Sequence, residues 1–167
     1  SWAQGLQNNI VNKRYGELIS FILGLILLAF IIYILVACGS YLMVGSRDQS
    51  IVTELTPWEA LTQTLPEGID SSVVEIQNIT RVHGAYLAHW LMDGFLGFGS
   101  WLLLLFGIVC ALRMMRITKR GSLIKLCVYT ILLSLWTALA LSALQSILGM
   151  PTFFRWGGAY GALWLGK

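Results

Sequence analysis

From Leu18 to Val44 the chain carries no charged residue: 27 positions reading LISFILGLILLAFIIYILVACGSYLMV. As a helix this run is roughly 40 Å long, at about 1.5 Å per residue. The hydrocarbon core of a bilayer is about 30 Å thick. Lipid offers backbone amides no hydrogen-bond partner, so such a run must satisfy its amides internally as a helix. The first expectation is a transmembrane helix over 18–44, long enough to tilt or to emerge from the membrane. Two further uncharged runs predict spans over 94–112 (GFLGFGSWLLLLFGIVCAL) and 126–150. In the first of these, Gly94, Gly97 and Gly99 loosen the start and permit close helix contact. Gly149 and Pro151 end the last span.

Composition agrees with these runs. Of the 167 residues, 57% are hydrophobic and 11% charged, against roughly 25% charged in a soluble domain. So few charges cannot cover a water-facing surface. The length fits one domain. Cys38, Cys110 and Cys127 all lie inside apolar runs and read as small packing residues, with no disulfide framework. Lys13, Arg14 and Glu17 precede the first span without a small-residue cleavage site, which argues against a cleavable signal peptide.

The charges set an orientation. Arg113, Arg116, Lys119, Arg120 and Lys125 crowd the 113–125 connection, and Lys13 and Arg14 precede the first span. Short loops rich in Lys and Arg stay in the cytoplasm. The N-terminus and 113–125 are therefore expected inside. The 45–93 connection holds seven of the eight acidic residues and is expected outside. Within it TPWEALTQTL (56–65) predicts a short helix, with Thr56 as N-cap and Pro57 in the first helical position. Its Trp58, Leu61 and Leu65 share one face, suited to the bilayer surface.

A phrase is written twice. RVHGAYLAHWL (81–91) and RWGGAYGALWL (155–165) agree at seven of eleven positions, 74 residues apart. Each copy follows an outward helix and an external connection. Gly84 and Gly158 either turn the chain tightly or let it approach a neighbour. Tyr86 with Trp90, and Tyr160 with Trp164, stand four apart on one helix face and favour the headgroup region. Arg81, Gly84, Tyr86, Trp90, Arg155, Gly158, Tyr160 and Trp164 thus form a candidate interfacial or packing motif. The symmetry predicts a unit of helix out, loop, phrase, helix in. The segment 151–167 then leads toward a fourth helix beyond Lys167.

Chemical signals are sparse. GALWLGK (161–167) matches part of a phosphate-loop pattern but lacks the preceding strand and the following Ser or Thr, so it reads as coincidence. His83 and His89 have no Cys or carboxylate at metal-ligand spacing. Asn78-Ile79-Thr80 is a glycosylation sequon, which matters only in a eukaryotic protein. The three spans hold no charged residue, where a transporter usually places ion or substrate ligands. The row Ser134, Ala138, Ser142 and Ser146 reads as a small-residue packing face. No catalytic residue, cofactor site or metal site is predicted. The basic 113–125 segment suits anionic lipid headgroups and carries no aromatic or groove-reading element for nucleic acid.

The order of these features resembles a known family: the basic start, RYGELISFILGLILL, an external GSRDQS, a glycine-rich segment, LRMMRITKR, and GGAYGALWL. The chain is similar, over nearly its whole length, to the N-terminal four-helix membrane domain of the FtsK/SpoIIIE bacterial DNA translocases. The resemblance implies an all-α helical bundle in the bacterial inner membrane, with short interfacial helices in its external loops. It implies an anchor at the division septum that meets lipids and other membrane division proteins. Homo-oligomerisation, ATP, Mg²⁺ and DNA would belong to the motor, so this segment is expected to be no enzyme and to make no DNA contact. A second reading is a structural or accessory subunit of a multi-protein membrane complex. A third is part of a small transporter. Trp58, Trp90, Trp101 and the acidic external loop are the candidate contact surface.

Overall fold

In the computed structural model, residues 2–53, 56–62, 80–118, 121–149 and 154–166 are described. Among the described residues six helices follow in order: α1 (Trp2–Val52), α2 (Pro57–Thr62), α3 (Arg81–Met92), α4 (Gly99–Met114), α5 (Leu123–Leu148) and α6 (Gly158–Trp164). No strand occurs among the described residues. The chain is an all-α membrane helical bundle. Two helices, α1 and α5, are long and apolar enough to cross a membrane, and α4 is a shorter apolar helix.

The long helix overruns both ends of the predicted 18–44 span. α1 is 51 residues, roughly 75 Å at about 1.5 Å per residue. No proline occurs before Pro57, and an isolated glycine such as Gly45 costs a helix only about 1 kcal/mol. Once nucleated, a helix extends at little cost per residue. Its middle stretch is apolar on every side. Phe21, Leu25, Ile26, Phe30 and Ile32 are exposed, as lipid-facing side chains should be.

The second uncharged run divides differently from its expected 94–112 boundaries. Residues 93–98 form turns, and α4 begins only at Gly99. Gly97 takes the left-handed backbone, φ +58°. The expected cytoplasmic connection shrinks as well, because α4 runs to Met114 and α5 starts at Leu123. α5 ends at Leu148, where Gly149 (φ 59°) caps it and its N–H returns to the Gln145 carbonyl at 3.1 Å.

α4 runs antiparallel to α1. Gly107 faces Ile31, and Gly24 faces Ala111 and Met114. The Ser20 hydroxyl donates to the Met114 carbonyl at 2.8 Å, satisfying one of the orphan acceptors at the α4 terminus. Beyond it Arg116 pairs with Glu17 at 2.8 Å.

α3 runs the opposite way, parallel to α1. The Tyr33 hydroxyl donates to the Thr80 carbonyl, Gly84 abuts Ala37, and Tyr41 meets His89. Steps of about four residues on one helix match steps of about four on the other. The expected external loop 45–93 therefore contains a helix laid along the second half of α1. Its buried residues Gly84, Ala88 and Met92 stand four apart and form the contact stripe. They close a core with Ala37, Cys38, Tyr41 and Phe154. Phe154 meets Tyr41 and Phe98 edge-on, with ring centroids 6.1 and 5.5 Å apart.

α2 is the predicted short helix, ending at Thr62; Leu65 lies outside the described residues. Its start is a reciprocal cap. The Thr56 N–H and hydroxyl donate to the Glu59 carboxylate at 2.8 and 2.7 Å, and the Glu59 N–H donates to the Thr56 hydroxyl at 3.3 Å. The Thr56 hydroxyl and then its backbone N–H hold the Glu59 carboxyl below its usual value. A depressed carboxylate stabilises above its unfolded value, and that contribution is lost as pH falls through the folded one. The protection factor of the Glu59 amide should therefore be largest near neutral pH. Exchange there should quicken, relative to the intrinsic rate, once pH drops below the ordinary glutamate range. Exchange mass spectrometry between pH 3 and 7 reads this directly, and a pH-independent protection factor would refute it.

Candidate functional site

The two copies of the phrase form α3 and α6, each packed on the later half of the long helix before it. α3 lies on α1, and α6 lies on α5. The shared glycine does a different job in each copy. Gly84 sits inside α3, where a Cβ would strike the Thr80 side chain and come within 3.1 Å of the Ala37 methyl. Gly158 opens α6 with φ +62°, a left-handed turn that L side chains resist. In the first copy the left-handed residue is Arg81, at φ 58°.

The two units meet at a crossing of backbone segments. The Phe98 N–H donates to the Trp156 carbonyl at 3.0 Å, and the Tyr160 N–H donates to the Phe95 carbonyl at 3.1 Å. The turn carrying Gly97 and the turn carrying Gly158 thus bond each other across the chain. They touch closely enough that a Cβ on Gly97 would strike the Trp156 carbonyl, and one on Gly158 would strike the Phe95 carbonyl. Asp93, just past the first copy, accepts from the Arg155 backbone N–H at 2.9 Å, and its carboxylate lies 3.5 Å from the Arg155 guanidinium. The Asp93 side chain is 16% exposed and that of Arg155 54%, so the pair is half screened by solvent.

α5 supplies the floor beneath the crossing. Gly99 packs on the Ser134 carbonyl, and Gly157 and Gly161 pack on the Ala138 carbonyl and the Ser142 side chain. Ser134 and Ala138 are its two buried residues. Small residues on both sides let the backbones approach closely. Gln145 stitches the second phrase to α5: its amide oxygen accepts from the Trp156 N–H at 3.0 Å, and its nitrogen donates to the Phe154 carbonyl at 3.4 Å. Ser100 does the same for the first unit, donating to the Leu91 carbonyl at 2.9 Å. Three hydroxyls of α5 serve their own helix. Thr130, Ser134 and Thr137 donate to carbonyls three or four residues earlier.

The remaining motif residues scatter around the crossing. Trp90 is half exposed and stacks on Phe95 at 5.6 Å, with the rings 4° from parallel. Tyr160 and Trp164 meet at 6.4 Å, as their spacing predicts. Tyr86 packs against Ala85, and Arg81 is exposed. Trp101 is partly buried and packs against the core. Of the basic residues, Arg113 bonds the Gly121 carbonyl, Arg116 pairs with Glu17, and Lys125 lies in the first turn of α5. Lys119, Arg120, Asn78 and Lys167 lie outside the described residues. Gly161 to Trp164, the phosphate-loop lookalike, is apolar helix packed on α5.

Among the described residues no three His, Cys, Asp or Glu side chains come together as metal ligands. A cavity of about 490 Å³ opens between α5 and α6, lined by Ser142, Gln145, Ser146, Arg155, Ala162 and Leu165. Its Arg155 is engaged by Asp93, and its Gln145 by the chain at Phe154 and Trp156. The arrangement holds two helix units together through backbone contacts; its polar groups bond one another, save the buried Trp101 indole N–H, which has no partner among the described residues.

No curated protein and no solved structure matches the chain. The family model for the 4TM region of DNA translocase FtsK/SpoIIIE matches residues 16–166, from the foot of the apolar run of α1 to the end of the second phrase. The chain therefore belongs to the family of FtsK/SpoIIIE membrane regions.

Proposed function

We propose that this chain is the membrane anchor and division-site interaction domain of a septal DNA translocase, acting in cell division and chromosome segregation. The observation that carries the reading is the family match along nearly the whole chain. The uncharged spans and the backbone-to-backbone crossing support it, since they suit a domain that holds and positions rather than one that transports or catalyses. In this reading the domain is not an enzyme. ATP, Mg²⁺ and DNA are handled by a motor that the anchor tethers, and the motor carries the homo-oligomerisation. The basic 113–125 segment and the N-terminus face the cytoplasm of a bacterial inner membrane. Lipids and other membrane division proteins are the partners.

A fluorescent fusion of residues 1–167, expressed in a dividing bacterium, should sediment with membranes and concentrate severalfold at midcell over the lateral envelope. An even distribution around the envelope would overturn the septal role. Recovery in the soluble fraction would overturn the anchor itself.

A further inference from the structure

The helix α2 leaves two large apolar side chains in the open: Trp58 is 70% exposed and Leu61 is 63% exposed. They stand three apart, on one face. The height of that face can be read from the bundle. At one end the Glu17–Arg116 ion pair, with both side chains well exposed, marks the water boundary. At the other end, Thr80 and Gly84 meet α1 at Tyr33 and Ala37. Those residues lie roughly 24–30 Å along α1 from Glu17, at about 1.5 Å per residue. A hydrocarbon core about 30 Å thick fills that interval. The second membrane boundary therefore falls at the level of Thr80 to Gly84, and the later part of the uncharged run, Cys38 and Tyr41 included, stands above it against α3. α2 is held at this level, because His83 Nε2 donates to the Leu61 carbonyl at 2.7 Å.

We propose that α2 is a foot resting on the lipid leaflet at the Thr80 end of the bundle, with Trp58 and Leu61 inserted at the junction of headgroups and acyl chains. Tryptophan favours that layer, where its ring is buried and its N–H stays wet. The backbone of α2 is prepared for a poorly hydrated setting: the Thr56–Glu59 cap closes its start, and the Thr62 hydroxyl donates to the Trp58 carbonyl at 2.9 Å. Arg81, exposed and one residue past Thr80, stands at phosphate height. A short helix lying in the interface beside a spanning helix resists tilting of the bundle, since tilt would lift the two side chains into water or press Glu59 into lipid. The inference depends only on membrane placement and stands apart from the septal role.

The test compares the wild-type chain with Trp58→Phe, each reconstituted in phosphatidylethanolamine–phosphatidylglycerol vesicles. The vesicles carry bromines either near the glycerol (carbons 6–7) or near the chain ends (carbons 11–12). The difference in emission between the two proteins isolates Trp58. Shallow bromines should quench that difference at least twofold more than deep ones. Quenching by neither, with emission typical of a water-exposed indole, would overturn the proposal. Stronger quenching by deep bromines would overturn it too, by placing α2 inside the hydrocarbon. Because Trp58 is exposed, the variant keeps the fold, and matching circular dichroism verifies this.

Discussion

Replacing Gly158 by alanine should destabilise the bundle by about 2–5 kcal/mol. Two terms add. An L residue held at φ +62° costs about 1–2 kcal/mol. The new methyl also has no room: it would strike the Phe95 carbonyl and approach the Gly97 nitrogen to 2.6 Å. Those atoms are backbone, so relief requires parting the two turns, and overpacking of this kind costs about 1–3 kcal/mol. Parting them also strains the hydrogen bonds from Phe98 to Trp156 and from Tyr160 to Phe95. Gly97→Ala should behave alike, since its φ is +58° and its Cβ would strike the Trp156 carbonyl. Gly149→Ala separates the two terms. Gly149 is also left-handed, at φ +59°, but nothing lies within 4 Å of its Cβ position. It should lose only the backbone term, about 1–2 kcal/mol. Thermal denaturation in one detergent, followed by size exclusion, ranks the three. Equal melting of Gly149→Ala and Gly158→Ala would show that the crossing is looser than its contacts indicate.

The apolar runs were legible because lipid imposes one demand on every residue of a span, and Leu18–Val44 and Leu126–Met150 meet it without a break. The row Ser134–Ala138–Ser142 was legible for a related reason: small residues at helical spacing in a span mark the face where another backbone comes close. Helix ends outside the membrane were not legible. Gly45 and Asp48 look like a loop by composition, yet nothing there stops an existing helix, and α1 continues to Val52. α3 was legible as a short helix from the Tyr86–Trp90 spacing, but its packing along α1 was not, although Gly84, Ala88 and Met92 carry the same four-residue spacing of small and flexible residues that betrayed the face of α5. The repeat announced that two units correspond. It did not reveal that Gly84 serves close packing and Gly158 a left-handed turn, because one residue type meets both needs. The links between units, Asp93 to Arg155 and Gln145 to Trp156, join positions whose meeting depends on the whole bundle. A lone glutamine in an apolar run and a lone acid beside a glycine were the only local hints.

Met92→Ala is the largest effect expected from the side-chain core. Met92 is 0% exposed and lies among Ala37, Cys38, Tyr41, Ala88 and Phe154. Truncation there should cost about 2–5 kcal/mol, from lost burial plus the cavity left behind. The upper part of that range is expected, because the backbones of α1 and α3 already touch at Gly84 and Ala37 and cannot close further to fill the cavity. Met92→Leu keeps the volume and should cost under about 1.5 kcal/mol. Tyr41→Phe keeps the ring and its edge contact with Phe154 but removes the 3.1 Å hydrogen bond to His89 Nδ1, a loss of about 1 kcal/mol. The order Met92→Ala, then Met92→Leu and Tyr41→Phe together, separates packing from polar stitching. The first variant should also loosen α3 locally. Amide exchange across Arg81–Met92 should then rise more than exchange across Leu123–Leu148, because α3 is held to α1 by the core that Met92 fills, while α5 rests on the glycines beneath the crossing. Since His83 of α3 carries α2 through the Leu61 carbonyl, α2 should lose protection with it. Uniform loosening of all the helices would instead mean that the core and the crossing unfold as one cooperative unit.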